Sequence, residues 1–137
     1  IEFGKNMFEL AKQKKIRNST FYYIDGSIDV KEREKIRHEF EQSGNNILFA
    51  QTSTFSTGIS IKRLTNVVYF MSSRSSARII QSVGRTLRLH KDKDYAQVVD
   101  ICFDSYKYSH KHMLERMEIY RQTYNKQQPD NIIELKI

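Results

Sequence analysis

The chain has little cysteine: Cys102 stands alone among 137 residues. An internal disulfide is therefore excluded, and the usage fits a reducing compartment. No apolar run approaches 18 residues, which excludes a membrane-spanning helix. No secretory signal, internal repeat or low-complexity tract is visible. No Gly-x-x-x-x-Gly-Lys-Ser/Thr loop occurs, so nothing here can cradle a triphosphate alone. His38, His90, His110, His112 and Cys102 are scattered, and the spacing of His110 and His112 points them in different directions on a helix. No metal site is expected.

Basic residues are plentiful. Lys and Arg number 23 against 16 acids, giving a net charge of +7 and a sequence pI near 9.5. That balance favours a polyanionic partner. Hydrophobic residues at 39% and charged residues at 28% make this a soluble globular composition. The length suits one domain over residues 1–137 with a modest core. The chain opens mid-pattern at Ile1, without Met, and reads as a fragment or trimmed domain.

The pattern alternates between helix and strand. Phe3, Met7, Leu10 and Ala11 predict a helix over 3–15, with the basic cluster from Lys12 to Arg17 as its solvated end. Phe21 to Ile24 is a candidate buried strand, and Asp25-Gly26-Ser27 turns the chain. Asp29 with Glu32 makes a capping-box-like start for a helix over 30–42, whose inner face would be Val30, Ile36 and Phe40. Ile47 to Ala50, Val67 to Phe70 and Gln97 to Phe103 are further strands, and residues 51–60 read as a hydroxyl-rich loop. The longest helix is expected over 106–124, with Met113, Met117, Tyr120 and Tyr124 on one core face. Pro129 and Asp130 end the helical region, and Ile132 to Ile137 can form a short edge strand. Strands separated by helices imply parallel βαβ units, an α/β fold.

The most informative stretch is Ile79 to Arg88. At about 100° per residue, Gln81, Arg85 and Arg88 fall within roughly 60° of one another on a helix. Ile80, Val83 and Leu87 form the expected apolar stripe. Gly84 costs about 1 kcal/mol of helix propensity against Ala and leaves room for close approach. Two guanidiniums on one stripe suit a phosphate chain, although two arginines alone are often no more than a solvated face.

The spacing Gln-x-x-Gly-Arg-x-x-Arg at Gln81, Gly84, Arg85 and Arg88 resembles motif VI of superfamily 2 helicases. Ile47 to Thr52, followed by Phe55-Ser56-Thr57-Gly58-Ile59-Ser60, resembles their motif V. Asp25-Gly26-Ser27 through Arg33 and Phe40 resembles the segment around motif IVa. The details are closest to phage recombination DNA helicases of the UvsW type, with RecG and XPB more distant. The resemblance covers roughly residues 1–124. It implies a second RecA-like domain: a parallel sheet sandwiched by helices.

By the same resemblance, Gln81, Arg85 and Arg88 face the ATP phosphates, with Arg88 as an arginine finger. Gly58 and Ser60 line the nucleotide side. Thr52, with its neighbour Ser53, contacts a DNA phosphate, and Gly26, Arg33, Gly4 and Lys5 follow the same strand. ATP and Mg²⁺ are the implied cofactors, the metal being held by a first RecA-like domain, since no Asp-Glu-x-His or Asp-Glu-Ala-Asp box occurs here. Single-stranded or branched DNA and that first domain are the implied partners, and no membrane is. A cytoplasmic location follows, the host cytoplasm for a phage-encoded protein. The chain alone is expected to be inactive as an ATPase.

Two departures stand out. Many members carry Asp where this chain has Ser60. The strand that precedes the first helix is absent, so the sheet lacks its first strand or borrows one. The leading expectation is the second motor domain of an ATP-dependent DNA helicase or branch-remodelling translocase. The alternatives are an RNA helicase, a restriction-enzyme translocase domain, or a non-catalytic nucleic-acid-binding module.

Overall fold

The computed structural model describes residues 2–14, 16, 18–42, 44–58, 60–70, 75–102 and 107–124. Expectations for Phe103 and for Ile132 to Ile137 lie outside these. The described elements run α1 (Glu2–Gln13), β1 (Thr20–Ile24), α2 (Val30–Gln42), β2 (Asn46–Ala50), α3 (Thr52–Gly58), β3 (Asn66–Tyr69), α4 (Ser76–Thr86), β4 (Gln97–Asp100) and α5 (Lys107–Tyr124). The strands pair in parallel, β1 with β2 and β3 with β4. The chain groups into two compact units: residues 1–64 with 88–93, and residues 65–87 with 94–137.

In the first unit, side-chain alternation sends β1 and β2 to two helices. Tyr22, Ile24 and Leu48 pack with Ile36 and Phe40 of α2 and with Ile61. On the other face, Phe8 of α1 meets Tyr23 at 5.7 Å and Phe49 at 5.8 Å between ring centroids. The strand pair is thus covered on both sides, as parallel strands require. Isolated helices below about 12–15 residues are marginal in water, so these faces hold the helices in place.

The inner face of α1 differs from expectation. Its less exposed residues are Gly4, Met7, Phe8 and Ala11, while Phe3 and Leu10 are exposed. Phe3 and Leu10 lie roughly 90° or more from the centre of that stripe. Val30 is also exposed, because it sits about 120° round the helix from Ile36. Ile28, just before the helix, packs on the core instead.

Local capping follows the sequence. The Glu32 amide donates to Asp29 Oδ1 at 2.9 Å, so Asp29 caps α2. At its other end, the Phe40 carbonyl accepts from Asn46 Nδ2 at 2.8 Å, and the Glu41 carbonyl accepts from Arg63 Nη1 at 2.8 Å. These are carbonyls that the helix itself leaves unsatisfied. Asn45 has φ 58°, a left-handed conformation that asparagine tolerates and that turns the chain into β2.

In the second unit, Tyr69, Ile79, Val83 and Tyr120 form the core, with Val67, Val98, Met117, Ile119 and Tyr124 packed against it. Met117, Tyr120 and Tyr124 of α5 meet this core, as their spacing predicts, while Met113 is half-buried. The buried face of α4 is not the expected one. Ile79, Ser82, Val83 and Thr86 are buried, whereas Ile80 and Leu87 are exposed, a rotation of roughly 80°. Small hydroxyl residues occupy the inner positions, and Thr86 Oγ1 donates to the Ser82 carbonyl at 3.4 Å. Hydropathy alone cannot register that arrangement. The helix also stops at Thr86, with Leu87 as its C-cap.

Arg116 sits on the apolar face of α5 and is 1% exposed. Its Nε and Nη2 donate to the two Asp100 carboxylate oxygens, each at 2.7 Å, and Tyr120 Oη donates to Oδ2 at 2.8 Å. Burial opposes the Arg116 charge, but the Asp100 hydrogen bonds and charge outweigh it and hold the guanidinium more firmly protonated. Burial also pushes the Tyr69 phenol up to about 12. No described helix is long and apolar enough to cross a membrane. Asp100→Asn should leave Arg116 buried without its counter-charge, at a cost of about 3–5 kcal/mol in a denaturant titration. A loss below about 1 kcal/mol would show that the pair does not anchor α5.

Candidate nucleotide and nucleic-acid site

Parallel strands deliver their following loops to one end, and ligands of such sheets bind there. In the first unit these are the Asp25-Gly26-Ser27 turn after β1 and Gln51 after β2. The Gln51 amide donates to the Ile24 carbonyl at 2.9 Å, which extends the ladder and locks the two exits together. A Cβ at Gly26 would stand 3.9 Å from Gln51 Oε1. Residues 51–60 are not all loop: Thr52–Gly58 form the short helix α3. The Phe55 amide donates to the Gln51 carbonyl, and Thr54 and Phe55 are buried, so this hydroxyl-rich segment is anchored inward.

The predicted strand-contact residues gather here. Lys5 Nζ of α1 lies 3.9 Å from Asp25 Oδ2, with Lys5 exposed and Asp25 buried. Gly4 precedes it, and a Cβ there would stand 3.7 Å from Tyr23 Cε2. Arg33 of α2 donates from Nη2 to the Gly26 carbonyl at 3.4 Å, while its buried Nε has no hydrogen-bond partner. Thr52 and Ser53 open α3 directly after Gln51. Three helices and two strand exits therefore bring Gly4, Lys5, Gly26, Arg33, Thr52 and Ser53 to one end of the strand pair.

Asp25 organises this end and is a residue that sequence reasoning saw only as part of a turn. Its Oδ1 accepts from the Ser27 amide at 2.8 Å and from the Ser27 hydroxyl at 2.5 Å. These bonds, helped by Lys5 and opposed by burial, hold its carboxyl below the usual carboxylate range. The Asp-x-Ser spacing is the available signal, since such side chains cap their own turns.

The motif VI residues divide. Gln81 is exposed and Arg85 half-buried on α4 in the second unit, on the side away from the core. An added Cβ at Gly84 would meet nothing within 4 Å, so that side of the helix is open. Arg88 lies beyond the helix and belongs to the first unit, a correction to its expected place on the same helical stripe. There its Nη1 donates to Ser60 Oγ, joining two residues 28 apart. Gly58 ends α3, two residues before Ser60.

Residues 2–90 match the helicase conserved C-terminal domain. The chain belongs to that family. Over 101 residues, 74% of this chain, it is also 34% identical to the ATP-dependent DNA helicase uvsW of Enterobacteria phage T4, and it spans 20% of that protein's length. The parallel pairs flanked by helices are the α/β, RecA-like architecture of this helicase domain. The family match takes in every site residue named here.

The Asp25 carboxyl titrates lower in the folded domain than in the unfolded chain. Its contribution to stability is therefore complete above about pH 4, the ordinary carboxylate value, and is lost as pH falls through the lower native value. The gap in melting temperature between the wild-type domain and Asp25→Asn should hold steady from neutral pH down to about pH 5 and narrow below about pH 4. A gap that stays constant to about pH 2 would show that the Ser27 and Lys5 contacts do not stabilise the carboxylate.

Proposed function

We propose that this domain is the second motor domain of an ATP-dependent DNA helicase or branch-remodelling translocase, acting in recombination. The observation that carries the reading is the Arg88 guanidinium hydrogen-bonded to Ser60 in the same unit as the basic strand-exit cluster. Family membership and the likeness to a phage ATP-dependent DNA helicase support it.

The roles follow the chemistry of each group. Arg88 is the arginine finger, meeting charge that develops as the γ-phosphate leaves. Gln81 and Arg85 act toward the ATP phosphates, and Gly58 and Ser60 line the nucleotide side. Thr52, Ser53, Gly26 and Gly4 offer hydroxyls or close backbone approach to the DNA backbone, while Lys5 and Arg33 add positive charge. A first RecA-like domain supplies the triphosphate loop and the Mg²⁺ ligands, and the whole works as one domain over residues 1–137 paired with that partner. Closure of the two around ATP brings the finger to the phosphate, and reopening after hydrolysis shifts the grip on the strand. By itself the chain turns over no ATP.

Two measurements test this. In the full-length protein, Arg88→Ala should lower kcat for DNA-stimulated ATP hydrolysis by at least about 10³-fold, the lower end for such fingers, and raise KM for ATP far less. Arg88 is exposed and off the helix, so the melting curve should barely move. A kcat within about threefold of wild type, worth about 0.7 kcal/mol, would refute the finger role.

The domain alone should bind single-stranded DNA weakly, with affinity falling as salt rises. Lys5→Ala and Arg33→Ala should each reduce the slope of log affinity against log salt by about one. Unchanged slopes in titrations at several salt concentrations would exclude these residues from the phosphate contacts.

A further inference from the structure

Arg88 lies two residues past the end of α4, so no helix sets its direction. An exposed arginine with no other restraint samples many rotamers, and a diffuse guanidinium is a poor electrostatic catalyst. Two contacts restrain it from opposite ends. The guanidinium donates to Ser60 Oγ. The Arg88 carbonyl accepts from Lys93 Nζ at 3.0 Å.

Lys93 is itself held by a tight turn. Its amide donates to the His90 carbonyl at 3.1 Å, and the Asp92 amide donates to His90 Nδ1 at 3.2 Å. The turn folds the lysine back toward the start of its own segment. Partial burial lowers the pKa of the Lys93 ammonium, and a partly desolvated donor makes a stronger hydrogen bond than one in water. Ser60 is fixed from the other side. The Lys62 amide donates to Glu41 Oε1 at 2.9 Å, while Arg37 Nη1 holds Glu41 Oε2 at 2.9 Å. The loop that carries the acceptor is thereby tied to α2.

We propose that Lys93 is a positioning residue for Arg88, clamping its backbone carbonyl so that the guanidinium is presented at Ser60. Lys93 touches neither nucleotide nor strand in this assignment and acts through Arg88 alone. Ser60 suits the arrangement because a neutral hydroxyl orients the guanidinium without cancelling its charge. A carboxylate there would compete with a phosphate for the same donors. The inference rests on Arg88 being the group that meets the γ-phosphate.

A double-mutant cycle in the full-length protein tests it. Lys93→Met removes the donor and keeps most of the aliphatic stem. It should lower kcat for DNA-stimulated ATP hydrolysis by about 10- to 100-fold, the scale of a small misplacement of a catalytic group, with KM for ATP changed far less. Lys93→Arg, which keeps a charged donor, should restore most of the rate. In an Arg88→Ala background, Lys93→Met should cause no further loss, because the group it positions is gone. A merely structural lysine would lower the melting temperature, would not split kcat from KM, and would act equally in both backgrounds.

If Arg88→Ala is impaired while Lys93→Met keeps wild-type kcat, the positioning role fails and the finger reading stands. Losses that multiply across the cycle also overturn it. If Arg88→Ala itself keeps wild-type kcat, the finger reading fails and this inference falls with it. Should Lys93→Met fail to fold, Lys93→Ala, which also removes the donor to the Arg88 carbonyl, carries the same cycle.

Discussion

Parallel strand pairing is the constraint on which the rest of this domain depends. Two parallel neighbours cannot be joined by a tight hairpin, so a helix must carry the chain back over the sheet. The Thr20↔Asn46 to Ile24↔Ala50 register therefore places both strand exits at the same end. Asp25-Gly26-Ser27 and Gln51-Thr52-Ser53 become neighbours although about 25 residues separate them. The start of α1 and the first turn of α2 reach the same end, bringing Lys5 and Arg33. A basic, hydroxyl-rich cluster is the consequence of the crossover rather than of any one motif.

Charge within this cluster is arranged, not merely accumulated. Asp25 is a buried acid beside the exposed Lys5, and its Ser27 contacts favour its ionised form. It holds the turn and offers Lys5 a weak, solvent-screened partner at 3.9 Å. The pair in the second unit is of another kind. Asp100 and Arg116 meet in a bidentate arrangement away from water, with Tyr120 on the same carboxylate. Such bonds are directional, so they fix the rotation of α5 against β4 more narrowly than hydrophobic side chains of similar volume would.

Much of the architecture was legible from spacing. The four strands and the Asp29 cap follow from local chemistry, and so does the core face of α5, although β4 ends at Asp100 instead of running on through Cys102. The motif spacings also led to the family that the domain match shows. Three of the misreadings concern polar or hydroxyl-rich stretches that the fold buries. Ser82 and Thr86 are polar by composition but small enough to face the core of α4, so the hydropathy stripe pointed roughly 80° away. Hydroxyl residues 52–58 read as loop because their helical propensity is low, yet buried Thr54 and Phe55 pin them as a helix. Arg116 went unnoticed on an apolar stripe, where a charged residue at core spacing is itself a sign of a buried partner.

The sequence by itself determined the order of helices and strands, the basic balance and the spacing of the motif residues. These depend on periodicity and on chemistry within a few positions of the chain. Only the tertiary structure decided which face of α4 is buried, that Asp100 neutralises Arg116, and that Lys5, Arg33 and Thr52 share one end of a strand pair. It also decided that Arg88 leaves its helix to meet Ser60, with Lys93 on its carbonyl. Each of these is a contact between groups whose separation in sequence carries no information about their distance in space. The energies that select them, burial and the satisfaction of buried donors and acceptors, exist only once the chain has folded.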